Sequence, residues 1–493
     1  MSKDILKTGS PAKAGVKYSD IHAFLDVLEE NRLMVHGFVL TRNDEVFAEG
    51  YYAPFTEDFM HRIYSSSKTF TAMAIGALAE EGKISLSDPV YKYFPDKIPE
   101  DMPEEVKDTT IRDLLIMATP FSRQPYDRYV WDWCHCFFNS PQYVDRKPGT
   151  VFRYDTHGTY MMDAIVERVT GKPFMNYLLD VGLRDIGFSE DTWCVQSPDG
   201  YSWGGSGVIC TCRDLARLAH LMKNKGEFEG KQILPRDFVE DAVKPLIDNR
   251  ANVQDLVHGN GYGYQTWMAT DGFALLGMGS QCAWVSPAKN TVCTFTCDSQ
   301  GDGYKAYLIF DLFKEYIYDK IGEPYEEDET ELKKLNDRLA SLTAHCPKGE
   351  NTSPTADKIN GKTYTLRLNQ MGIKNIRFEF DGDCGVLYYD TIRGAKKLPF
   401  GMGHNIETTF PETHYQDRQI GIPANREFYA ICSAVWTDEN TILVRPYIAD
   451  NCFGNAWMYF TFEGNSVSVN MRKTAEWFMD EYEGEAFGKI RLS

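Results

Sequence analysis

Tyr64-Ser-Ser-Ser-Lys-Thr-Phe-Thr-Ala-Met-Ala-Ile-Gly-Ala-Leu-Ala-Glu-Glu-Gly82 is the stretch on which the reading of this chain turns. Small or apolar residues fill nearly every position from Phe70 to Ala79, which predicts a helix buried on all sides. Gly82, just past the acidic pair, is a C-terminal stop. Lys68 sits in the first turn, where burial of a cation is costly without a partner. Ser65 precedes it by three residues, on the same helical face. A serine hydroxyl becomes a nucleophile when a neighbouring base removes its proton, and desolvation favours the neutral lysine that could do so. A serine at a helix start is also an ordinary cap. Ser-x-x-Lys occurs three times, at Ser10/Lys13, Ser65/Lys68 and Ser286/Lys289, and only the second opens a long apolar helix.

Outward from this helix the chain is long and acidic. Its 493 residues predict two or three domains. With 52 basic and 71 acidic residues the net charge is −19, which opposes nucleic acid or anionic membrane as a partner. The N-terminus lacks the apolar core of a secretory signal, and no run of about 18 apolar residues reads as a membrane span. Twelve cysteines in that setting read as reduced thiols, so a cytoplasmic location is expected. The Cys134/Cys136 and Cys210/Cys212 pairs lack zinc-site spacing, so neither metal nor organic cofactor is expected.

On the N-terminal side, Tyr18–Arg32 has helical spacing, and His36–Tyr52 reads as a hairpin about Asn43-Asp44. On the C-terminal side, Ser87-Asp88-Pro89 is a helix start. Thr110-Ile-Arg-Asp113 and Thr211-Cys-Arg-Asp214 are capping boxes. Residues 119–150, with Tyr126, Tyr129, Trp131 and Trp133, form an aromatic irregular segment suited either to walling a pocket or to a surface loop. Phe273–Leu276, Ala283–Ser286 and Val292–Cys297 read as strands, and Tyr304–Ile321 as a helix. Strands at both ends with helices between suggest one sheet assembled from the two ends. A boundary follows: a hydrolase-like domain is expected over 1–325, a linker with a short amphipathic helix over 326–358, and an all-β sandwich or barrel over 359–493.

The order of segments carries a resemblance. The hairpin, Ser65-Ser-Ser-Lys68, Glu81–Pro89, Thr110–Leu115, Pro148-Gly-Thr-Val-Phe-Arg-Tyr154, Val169–Phe174, Gly204-Gly-Ser-Gly207 and Thr211–Arg217 together resemble the serine β-lactamase-like family. That group includes class C β-lactamases, D-alanyl-D-alanine peptidases and family VIII esterases. The resemblance covers roughly residues 10–320 and implies an α+β fold, an antiparallel five-stranded sheet with a helical region and the site between them. Some members carry a lipocalin-like β domain after it. The resemblance also implies that Ser65 is the acylated nucleophile, Lys68 its base and Tyr154 a proton relay. Thr156 stands where the family's Tyr-x-Asn motif has its amide. Leu275-Leu276-Gly277 aligns with the edge-strand motif, placing Leu275 where a cation contacts a substrate carboxylate. The N–H groups of Ser65 and Met278 are the candidate oxyanion donors, with Gly277 letting the backbone approach. His157, Trp203 and, more remotely, His258 are further candidates around the pocket.

These readings lead to a serine hydrolase that forms an acyl-enzyme on Ser65 with a small amide or ester substrate. The alternative is a weak or inactive family member that binds a ligand or partner, with Thr156 and Leu275 as its relaxed motif positions.

Overall fold

The computed structural model describes residues 4–126, 130–250, 259–300, 305–414, 426–475 and 479–490, with no side chains described for 305–307. His258, Tyr129 and the first residue of the expected Tyr304–Ile321 helix lie outside them. The chain divides into two compact units, Leu342 closing the first and Thr343 opening the second.

The first unit is built on a sheet of seven strands: β1 (Lys7–Thr8), β2 (Val35–Arg42), β3 (Glu45–Tyr51), β4 (Trp267–Ala269), β5 (Gly272–Gly277), β6 (Gln281–Ser286) and β7 (Thr291–Cys297). Their order is β1-β3-β2-β7-β6-β5-β4, antiparallel except for the short β1–β3 pair. The five expected strands are joined by a two-residue strand at one edge and a three-residue strand at the other. The two ends of the sequence meet where Phe295 of β7 pairs with Phe38 of β2. The β2–β3 turn places Asn43 and Asp44 at positive φ, which both central residues of a type I′ turn require.

Six helices pack on the sheet or carry the site: α1 (Tyr18–Glu30), α2 (Ser67–Glu80), α3 (Thr156–Thr170), α4 (Cys212–Lys223), α5 (Lys305–Tyr316) and α6 (Glu329–Ala340). On one face Phe24 and Leu28 of α1 and Phe313 of α5 join Phe38, Trp284 and Phe295 in a continuous core. On the other face α4 covers β2, β6 and β7. Coverage on both faces explains why β6 and β7 are buried along their whole length. The α6 helix, expected inside a linker, belongs to the first unit: it packs on α1 and β3, with Leu335 buried in the same core. Ser87-Asp88-Pro89 leads only into a 3₁₀ turn, Val90–Tyr93.

The second unit is a barrel of β8 (Thr363–Leu366), β9 (Asn375–Asp381), β10 (Cys384–Thr391), β11 (Gly394–Met402), β12 (Ile406–Phe410), β13 (Phe428–Trp436), β14 (Thr441–Ile448), β15 (Gly454–Glu463), β16 (Ser466–Thr474) and β17 (Gly484–Ile490). It closes where Gly401 and Met402 of β11 pair in parallel with Ser433 and Ala434 of β13. Phe378, Phe400, Phe460 and Phe462 stack edge-on inside it. Among the described residues no helix is long and apolar enough to cross a membrane.

Candidate active site

The chain enters α2 through a 3₁₀ turn, Tyr64–Ser66. Tyr64 has φ of 47°, a left-handed conformation that costs a bulky residue about 1–3 kcal/mol and persists only when its surroundings hold it. Tyr64 is 1 % exposed, and the Arg62 guanidinium lies 4.4 Å from its ring centroid. That guanidinium also donates to the Ser206 carbonyl at 2.9 Å.

The hydroxyls that follow do not cap the helix. Ser66, the residue at the cap, makes no capping hydrogen bond. Its hydroxyl donates instead to the Gln281 carbonyl at 2.8 Å, and Ser67 accepts from the Val208 N–H at 3.0 Å. Thr69 donates to the Gln265 carbonyl at 2.8 Å, and Thr71 to Asp163 Oδ1 at 2.6 Å. These side chains rivet the start of α2 to the β5–β6 hairpin, the Val208–Cys210 strand, the loop at Gln265 and α3. Ser65, half-buried, meets Lys68, whose Nζ lies 3.0 Å from its Oγ. Lys68 is 1 % exposed and also donates to the Gly205 carbonyl. The other two Ser-x-x-Lys pairs are structural: Ser10 accepts from the Lys13 N–H, and Ser286 and Lys289 both bond to Tyr318.

Tyr154 joins this pair. Its ring centroid is 4.8 Å from Lys68 Nζ, and the ring stacks on Trp267 with centroids 5.5 Å apart. The ring is held in place because α3 begins immediately afterwards. Asp155 caps that helix by accepting the His157 N–H at 2.9 Å, and takes the Thr119 hydroxyl at 2.8 Å. Burial raises the Asp155 carboxyl above its usual range, against the Thr119 and backbone hydrogen bonds that pull it down. Thr156 opens α3 with its methyl against Gly205, where a Cβ would come within 2.6 Å of Thr156 Cγ2.

Gly277, at the end of β5, lies against the nucleophile turn. A Cβ there would stand 2.2 Å from the Ile63 carbonyl oxygen and 3.1 Å from the Ser66 nitrogen, so only glycine lets the strand end this close. Met278 follows, 39 % exposed, and Leu275 is buried two residues earlier.

His157 and Trp203 are placed elsewhere than expected. The His157 ring is fully buried among Tyr126, Phe137 and Tyr160, and its Nε2 meets the Trp133 carbonyl at 2.8 Å. Burial lowers its pKa to about 3, so the ring is neutral. Trp203 packs edge-on against Trp133 and lies 5.0 Å from the Arg62 guanidinium, behind Tyr64. Both rings are buried. Arg62, Asp163 and Trp267 were missed from the sequence; Gly204 and Gly205 entered it only within the Gly204–Gly207 segment of the resemblance. Among the described residues one group is close enough to hold a metal, Glu412, His414 and Glu481 in the second unit. There Lys396 already sits 2.9 Å from Glu412.

A beta-lactamase family model matches residues 34–312, more than half of the chain. The chain belongs to the beta-lactamase family. A 6-aminohexanoate-dimer hydrolase of Paenarthrobacter ureafaciens is 27 % identical over 254 residues, covering 48 % of this chain. The match spans 64 % of that relative's length, just under two thirds. Among solved structures, a putative 6-aminohexanoate-dimer hydrolase from Bacillus anthracis superposes with a TM-score of 0.50 at 21 % identity, covering 64 % of this chain and 88 % of its own. The octameric penicillin-binding protein homologue from Pyrococcus abyssi gives a TM-score of 0.48 at 16 % identity, covering 95 % of this chain and 99 % of its own. This family member thus shares its sheet-and-helix fold with the Bacillus anthracis protein.

Proposed function

We propose that this beta-lactamase family member is a serine hydrolase that cleaves a small amide or ester through an acyl-enzyme on Ser65. The observation that carries the reading is the 3.0 Å contact between Ser65 Oγ and the buried Lys68 Nζ. With neutral lysine the proton passes from Oγ to Nζ as Oγ attacks the substrate carbonyl carbon. The oxyanion so formed faces the N–H groups of Ser65 and Met278, brought together by the close seating of Gly277. Collapse breaks the bond to the leaving group, which takes a proton relayed through Tyr154. Water then adds to the Ser65 ester as it gives a proton to the neutral Lys68, and a second collapse breaks the Oγ–acyl bond, releasing the acid while Oγ takes that proton. No metal or organic cofactor enters these steps.

Leu275 supplies no charge where the family's edge-strand motif has a carboxylate-binding cation, which favours substrates whose recognition does not depend on that carboxylate. The relative's name makes 6-aminohexanoate dimer the first compound to test. The protein acts here on a small molecule, in the cytoplasm, without nucleic acid or membrane as partner. A fluorophosphonate probe should label the full-length protein at Ser65. Labelling should vanish in Ser65→Ala and fall at least about a hundredfold in Lys68→Met. An unreactive Ser65 across ester, amide and β-lactam panels would leave the ligand-binding alternative standing.

A further inference from the structure

Behind Lys68 lies a carboxylic acid that the steps above do not use. Asp163, on the inner face of α3, is completely buried. Its Oδ1 accepts the Thr71 hydroxyl at 2.6 Å, and Thr71 lies three residues beyond Lys68 on the same face of α2. Its Oδ2 is buried without a hydrogen-bond partner. Both oxygens press on Gly204, where a Cβ would come within 2.4 and 2.5 Å of them. The next residue, Gly205, gives its carbonyl to Lys68 Nζ. Asp163, Gly204, Gly205 and Lys68 therefore form a continuous path ending on Ser65.

We propose that Asp163 is a positioning residue for Lys68: it seats the Gly204-Gly205 backbone that aims the amine at Ser65, and it is the buried acid with which that amine is charge-coupled. The inference rests on the proposed roles of Ser65 and Lys68. A buried amine and a buried acid are cheapest when both are charged or both are neutral, because a lone charge has no solvent to support it. Lys68 accepts the Ser65 proton only when neutral, and charge on Asp163 holds it protonated to higher pH.

Burial pushes the Asp163 carboxyl well above its usual range, and Glu167 adds to this, while the Thr71 hydroxyl, the Gly204 N–H and Lys68 pull it down. The titratable and charged groups in range are Lys68 on α2, Glu167 one turn along α3, and Cys194 on the Trp193–Cys194 strand with Arg62 acting on it. Asp155, at the start of α3, is also in electrostatic range of Lys68.

The test uses full-length Asp163→Asn and Thr71→Val. The first keeps the shape of the side chain and removes its charge; the second removes the hydroxyl that favours the ionised acid. The rate of Ser65 labelling by a fluorophosphonate is measured from pH 5 to 10, and Lys68 itself is titrated by lysine side-chain NMR, its signal assigned with Lys68→Met. In Asp163→Asn the acid limb of labelling and the Lys68 titration should both move to lower pH by about one unit, because the ammonium loses its buried counter-charge. The plateau rate should fall about two- to tenfold as the Gly204-Gly205 seat loosens. Thr71→Val should shift both in the same direction by less, and it decides the matter if the Asn variant does not fold. A merely structural Asp163 would change the plateau or the folded fraction and leave both midpoints in place, and that result overturns the proposal. If wild type is not labelled at Ser65 while Asp163→Asn still moves the Lys68 titration, the acyl-enzyme reading fails and the Asp163–Lys68 coupling stands.

Discussion

Replacing His157 with glutamine should remove a defined part of the acid lability of α3. His157 is fully buried, with its Nε2 against the Trp133 carbonyl and a pKa lowered to about 3 by burial. In the unfolded chain the same ring titrates near 6.5, so between these values the unfolded state holds more protons than the native one. Stability is therefore complete above pH 6.5 and is lost as pH falls toward 3. At pH 4.5 the unfolded ring is two units below its pKa and the native ring is still neutral. At about 1.36 kcal/mol per unit, the loss from this one residue is about 2.7 kcal/mol. Glutamine can still donate to the Trp133 carbonyl but has nothing to titrate. Hydrogen exchange of peptides covering residues 156–170 at pH 7 and 4.5 measures the change in opening free energy for each protein. Wild type should lose about 2.7 kcal/mol more than His157→Gln, while His36, His61 and His220 contribute equally to both and cancel. Equal losses would refute the reasoning and return His157 to the candidates that face solvent or substrate.

Gly277→Ala should slow fluorophosphonate labelling at least about tenfold, because the added Cβ strikes the Ile63 carbonyl at 2.2 Å and the nucleophile turn or the strand end must shift; an unchanged labelling rate would show that the turn is not held by β5. In the barrel, Glu412 is 2 % exposed and accepts from Lys396 at 2.9 Å and from the Tyr482 hydroxyl at 2.6 Å. Glu412→Gln should destabilise that unit by about 3 kcal/mol in denaturant unfolding by leaving the part-buried Lys396 without its counter-charge, and Lys396→Met in the same chain should recover most of the loss.

The parts of the fold legible in the sequence are those in which local chemistry and tertiary environment agree. The α2 helix was readable because every face of it is buried. Both capping boxes form as written, with Thr110 and Thr211 each accepting from the residue three positions on and Asp113 and Asp214 reaching back. The Asn43-Asp44 turn was readable because few other residues tolerate two consecutive positive φ values. The short edge strands β1 and β4 were not, since two or three residues carry no periodicity. In the barrel, β11 reads Gly-Ala-Lys-Lys-Leu-Pro-Phe-Gly-Met and alternates only in its second half, where its side chains turn inward. Strands such as β11 are specified by their neighbours rather than by their own pattern.

At the site the difference lies in what kind of atom does the work. Ser65 and Lys68 were visible because an i, i+3 spacing on a helix is a distance. The seat behind them was not, because it consists of a backbone carbonyl at Gly205 and a carboxyl at Asp163, forty and more residues apart from each other and from Lys68. Nothing about Asp163 in its own segment sets it apart from a surface residue of α3: it is flanked by Met162 and Ala164, and a single acid in a helix is most often solvated. The doublet Gly204-Gly205 was read only as part of the Gly204–Gly207 segment, and two glycines permit a tight turn as readily as a close approach. The structure resolves the ambiguity in favour of approach on both sides at once. A Cβ on Gly204 would collide with Asp163, and one on Gly205 would collide with Thr156. Two adjacent positions that each exclude a side chain for a different neighbour leave a backbone with no freedom to move away from Lys68, which is what a rigid acceptor for that amine requires.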